Sequence, residues 1–99
     1  MGKTAKEIER TVRVSEVASG GAHYKYTLIV KESRRVASFR LPLYSVRIEM
    51  RTADGRLTEA QTGDIFADLG KAVVFYERLV DNLATPINLA YILEDAITL

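Results

Sequence analysis

Side chains able to do chemistry are few in this sequence, and their spacing decides how much each can do. His23 is the sole histidine and there is no cysteine. An imidazole working as a general base needs a nucleophile and an orienting partner, and no spacing around His23 supplies either. With one His and no Cys, a metal site would have to be built from carboxylates. Glu94 and Asp95 are adjacent, so on a helix they diverge by about 100° and do not form a ligand pair. Asp64 and Asp68 stand four apart and can share a helix face. At a helix start their negative charge is already explained by the positive end of the dipole. Gly20-Gly21 is followed by no Gly-Lys-Ser/Thr and joins two strand patterns, so it is a turn and not a phosphate cradle. Arg35 stands three residues before Ser38, as in a basophilic phosphorylation site, a match that loops also produce by chance. These residues imply no catalytic, cofactor or metal site, and the expected protein is not an enzyme.

The elements that would position any site are organised around one stretch, Ala67 to Leu83. Leu69, Val73, Tyr76, Val80 and Leu83 recur at spacings of four and three, which places them on one helix face. Upstream of it the pattern is sheet. Glu7 to Val17 alternates, with Ile8, Val12 and Val14 facing one way and Glu9, Thr11, Arg13 and Ser15 the other. Ala18 to Ala22 contains the two glycines of a hairpin loop. His23 to Glu32 alternates most cleanly, with Tyr24, Tyr26, Leu28 and Val30 on one face. Residues 33–38 break the alternation and read as a loop. Pro42 fits the start of the third strand, Leu43 to Arg51, because it cannot donate to a ladder. Tyr44, Val46, Ile48 and Met50 form that strand's apolar face.

Ala53-Asp54-Gly55 predicts a hairpin with a type I′ turn. Arg56 to Thr62 returns as a weakly apolar edge strand. The helix start is capped by Asp64 or by Asp68. Gly70, inside the helical pattern, marks a possible close approach of helix and sheet. Thr85-Pro86 caps and opens a second helix, whose face is Leu89, Ile92, Leu93 and Ala96. The order is ββββαα. It predicts an α+β fold, a four-stranded antiparallel sheet with two C-terminal helices packed on one face.

Size and composition agree with this. A chain of 99 residues, 47% apolar and 27% charged, forms one globular domain over residues 7–99, behind a polar tail at 1–6. No window approaches the ~20 apolar residues of a membrane span. The first residues lack a signal peptide's apolar run, and Lys6 stands where myristoylation wants Ser or Thr. A cytoplasmic protein is expected. The net charge of +1 hides an imbalance. Residues 1–60 hold twelve Lys/Arg against seven Asp/Glu, and residues 61–99 two against six.

Several short motifs occur in a suggestive order. They are Tyr24-x-Tyr26-x-Leu28-x-x-x-Glu32, Tyr44-Ser45-Val46-x-Ile48, Asp64-Ile65, Thr85-Pro86-x-x-Leu89 and Glu94-Asp95. Over roughly residues 7–97 the chain resembles a family of small Firmicute proteins known only as a domain of unknown function. Ser45 stands where that family usually has glycine, and Phe66 where it has a capping serine. The resemblance implies a bacterial cytoplasmic protein and brings no activity or site residues.

Two surfaces remain. Alternation gathers Arg13, Lys25, Lys31, Arg47 and Arg51 on the outer sheet face, near Arg34, Arg35 and Arg40. A basic face of this kind can track a phosphate backbone, although Tyr24, Tyr26 and Tyr44, which would stack on bases, lie on the other side. On the helices, Val74 and Phe75 fall off the first apolar stripe and Ile87 and Tyr91 off the second. Four apolar residues there form a patch that a second copy can cover through a two-fold interface. Side-by-side packing of the two helices accounts for the same four residues. The expected function is a homodimeric protein–protein interaction module. Nucleic-acid binding through Arg13, Lys25, Arg47 and Arg51 is the alternative.

Overall fold

The computed structural model describes residues 7–36 and 39–97, with the side chains of 9–32 and 42–96. Four strands form one antiparallel meander, β1 (Glu7–Ser19), β2 (Ala22–Val36), β3 (Phe39–Arg51) and β4 (Leu57–Gln61), in the order β1-β2-β3-β4. Two helices follow, α1 (Leu69–Asp81) and α2 (Leu89–Ile97), and pack on one face of the sheet. The α+β architecture is the one the ββββαα pattern predicts.

The first hairpin turns through Gly20 and Gly21 alone, with φ of 58° and 82°. Both central residues at positive φ define a type I′ turn, whose twist suits the flanking strands. The Asp54-Gly55 turn differs from expectation. Only Gly55 has positive φ, 89°, and its N–H donates to the Thr52 carbonyl at 2.9 Å. This is a type I turn followed by a glycine bulge. Asp54 stays out of the left-handed region because its carboxylate is engaged locally. It accepts from the Thr52 hydroxyl and from the Arg56 N–H. Those two donors hold its pKa below the usual value.

Strand β1 carries the largest departure from the alternation. Thr11 pairs with Ile29 but Arg13 pairs with Leu28, so Val12 is an extra residue, a β-bulge. An extra residue reverses the side-chain phase. Beyond it Arg13, Ser15 and Val17 lie on the helix-covered face, while Val14 is exposed on the open one. The expected inward facing of Val12 and Val14 is therefore corrected, since both are exposed.

Residues 33–36, expected as loop, continue β2, which pairs with β3 from Phe39 onward. Pro42 sits within β3 opposite Glu32. Tyr44 and Val46, which share its phase, turn their N–H groups toward the β4 side, and β4 pairs only with Arg47 to Arg51. A proline there forfeits no ladder bond.

The core lies between the sheet and α1. Tyr26, Leu28, Val46 and Ile48 are fully buried beneath Ala72, Phe75, Tyr76 and Leu79. The inward stripe of α1 is thus rotated from the expected one. Leu69 is exposed, and Val73 and Val80 are half-buried. Asp68, not Asp64, caps the helix, accepting the Lys71 N–H at 2.9 Å. Gly70 marks no close approach to the sheet: the neighbour a Cβ there would meet is Asp68 Oδ2 at 3.3 Å, with no described sheet atom within 4 Å.

Helix α1 ends in a Schellman motif. Ala84 N–H bonds the Leu79 carbonyl at 3.0 Å and Leu83 N–H bonds Val80 at 3.1 Å, with Leu83 itself at φ 51°. Leu83 therefore belongs to the cap, not to the helical stripe. Thr85 and Asn88 then bond reciprocally, Asn88 Oδ1 taking the Thr85 N–H at 2.8 Å and Thr85 Oγ1 the Asn88 N–H at 3.3 Å. This box holds the turn ahead of α2, whose Leu89, Ile92, Leu93 and Ala96 pack on the core as the spacing predicts.

Candidate functional site

Two concavities flank α1. The larger, about 650 Å³, lies where the start of α1 meets the end of α2. Phe66 and Phe75 give it an apolar floor, their ring centroids 5.3 Å apart. Val74 and Ala96 extend that surface. Asp68, Lys71, Arg78 and Asp95 carry charge around it.

The four residues expected to form a partner surface divide. Val74, Ile87 and Tyr91 are 62%, 76% and 69% exposed. Phe75 is only 3% exposed, a correction: its ring fills the space over the sheet, and it reaches the groove as floor. Outward display of three large apolar side chains is unusual for a helical layer, whose solvent side is ordinarily polar.

The smaller concavity, about 400 Å³, is polar and lies on the other flank of α1, lined by Arg13, Ser15, Tyr76, Glu77 and Asp81. Tyr76 donates to the Tyr26 carbonyl at 3.1 Å, so Ser15, 2.6 Å away, donates to the Tyr76 oxygen. Tyr26 in turn donates to the Ala84 carbonyl at 2.8 Å. This chain of hydroxyls ties β1, β2, α1 and the turn before α2 together. Burial raises the pKa of Tyr76, opposed by the Ser15 hydrogen bond and the Arg13 charge. Burial and the neighbouring Tyr24 push Tyr26 up to about 12. Arg13 sits 3.1 Å from Glu77 and 5.9 Å from the Tyr76 ring centroid, an ion pair with a cation–π contact. The bulge at Val12 brings Arg13 and Ser15 here. Simple alternation assigned both to the opposite face, so the cluster was invisible in the sequence.

Arg13 is therefore removed from the basic face expected on the sheet. The remaining candidates stand among acids. Register places Glu16, Lys25, Glu49 and Glu59 in one row across the four strands. Arg47 lies 3.2 Å from Glu49 and Lys31 3.5 Å from Asp64. His23 bonds Glu16 at 2.9 Å, which gives it a structural partner. Arg51 is exposed at the end of β3. Four acids, Glu9, Glu16, Glu49 and Glu59, interleave with Lys25, Lys31, Arg47 and Arg51 on this face. Tyr24 and Tyr26 are buried on the covered side. The side chains of Arg34, Arg35, Ser38 and Arg40 lie outside the described residues.

No group of three His, Asp or Glu side chains comes together as a metal site among the described residues. Among the same residues no helix is long and apolar enough to cross a membrane. No curated protein and no solved structure matches the sequence. A family model does, over residues 5–99, and the chain belongs to that family, the family of unknown function DUF6514.

Proposed function

We propose that this chain is a non-enzymatic interaction module that works as a homodimer, with the outer side of its helical layer as the contact. The observation that carries this reading is the exposure of Val74, Ile87 and Tyr91 on two packed helices whose inner faces are already satisfied by the sheet. Each leaves most of its apolar surface in water, where covering it yields roughly 25 cal/mol per Å². A second copy offers the same residues in the same arrangement, and a two-fold axis lets one patch cover the other. The bacterial, cytoplasmic setting proposed with it is the one the family resemblance implies.

Light scattering on the purified chain tests the reading. At about 100 μM, far above the Kd of a specific dimer, the expected mass is twice 11.1 kDa. Tyr91→Ser should return the mass to that of one chain while leaving the far-ultraviolet circular dichroism unchanged. A wild-type monomer at that concentration removes the proposal.

A further inference from the structure

Charge around the larger groove carries the dimer reading further. Arg78 on α1 and Asp95 on α2 both line it. They form no ion pair with each other, and neither side chain has a polar partner among the described residues. Two unlike charges at one apolar concavity, neither with a polar partner among the described residues, form a self-complementary set under two-fold rotation.

Helix geometry makes the exchange concrete. Tyr91 precedes Asp95 by four residues, so the two share one face of α2, about 6 Å apart along its axis. A two-fold axis crossing α2 midway between them sets the partner's α2 antiparallel to it. The partner's Asp95 then stands level with Tyr91, and the partner's Tyr91 level with Asp95. Asp95 and Ala96 line the same concavity as Phe66 and Phe75, so the end of α2 lies beside that floor.

Resting on the homodimer reading, we infer that the groove is the receptor half of an exchanged contact with a second copy. The partner's Tyr91 seats on the Phe66–Phe75 floor, and the partner's Asp95 pairs with Arg78, with the reciprocal contacts made across the axis. Arg78 and Asp95 are then the residues that set register and partner choice, while Tyr91 supplies the apolar anchor.

Charge reversal tests this with the intact chain. In Arg78→Glu alone, both cross-axis contacts become acid against acid. In Asp95→Arg alone, both become base against base. Mixed one to one, the two variants restore both contacts, each with its charges exchanged or native. Sedimentation equilibrium should show each single variant with a dimer Kd raised at least about tenfold, and the mixture within about threefold of wild type. Both positions are exposed, and circular dichroism confirms folding of each variant. A salt titration of the wild-type dimer needs no variant: its Kd should rise with NaCl, and a salt-independent Kd overturns the pairing. If wild type and both variants are equally dimeric, the groove contact is wrong and the dimer reading stands. Monomeric variants that do not recover on mixing also overturn it. A wild-type monomer removes both.

Discussion

The two faces of the sheet have the same backbone beneath them and opposite ways of hiding it from water. On the covered face Tyr26, Leu28, Val46 and Ile48 are buried by a helix carrying Ala72, Phe75, Tyr76 and Leu79. On the open face Thr27, Ile29 and Ser45 are also buried, although both helices pack on the opposite side. Their cross-strand neighbours include Val14 and Arg47 beside Thr27, and Lys25 and Lys31 flank the same stripe on β2. Long charged side chains lay apolar stems over small ones while their heads stay wet. Burial on one face comes from a second, close-packed layer, and on the other it is reached without either helix.

This contrast can be broken most severely on the covered side. Leu79→Ala leaves a void under α1 that a close-packed layer cannot collapse into, and should cost about 2–5 kcal/mol in urea denaturation. A loss below about 1 kcal/mol would show α1 to be loosely docked.

Alkali offers a second, smaller probe of the same face. A tyrosine in the unfolded chain ionises near 10.0, while Tyr26 in the fold holds its proton to about 12. Above pH 10 the unfolded state therefore releases a proton that the folded state retains. The stability from this group is complete below that pH and is lost as pH rises toward 12. Tyr76 is shifted in the same direction. Urea midpoints should fall across this window, and fall less steeply in Tyr26→Phe. Equal slopes in the two chains would show that Tyr26 ionises as freely folded as unfolded.

The open face gives the smallest effect, and of opposite sign. Thr27 is buried with no hydrogen-bond partner for its Oγ1 among the described residues. Thr27→Val removes a desolvated hydroxyl and keeps the β-branched shape that strands favour. It should stabilise by up to about 1 kcal/mol. Destabilisation by that amount would mean the hydroxyl is bonded in solution.

Legibility in the sequence followed the same divide between local and distant causes. The Gly20-Gly21 turn, the engagement of Thr85 and the inward face of α2 are readable because each is decided within a few residues, although Thr85 holds a turn over 86–88 and the helix opens at Leu89 instead of Pro86. At Asp54 the sequence predicts a hairpin but not its turn type, since Asp54 engages the Thr52 hydroxyl and the Arg56 N–H instead of adopting positive φ. In α1 the run Val73-Val74-Phe75-Tyr76 allows two phasings. The native one turns on Ala72, which is small enough to let the helix settle on the sheet with Phe75 and Leu79 beside it. Hydrophobicity alone does not weigh a small residue in that way, and so it places Phe75 on the surface. The bulge at Val12 was out of reach, because its reward is the meeting of Arg13 and Ser15 with Tyr76 and Glu77, more than sixty residues away. With it went the polar cluster and one of the four supposed nucleic-acid contacts.

That single extra residue in β1 also bears on how the molecule avoids unwanted company. β1 is the outermost strand on its side, and a straight run of thirteen residues there would be a template for strand-by-strand accretion into fibres. Val12 breaks the run into two shorter stretches whose free hydrogen-bonding groups are no longer in step. The opposite border, β4, is only five residues long. A broken run on one margin and a short strand on the other are poorer templates for open-ended sheet growth than straight, full-length strands would be.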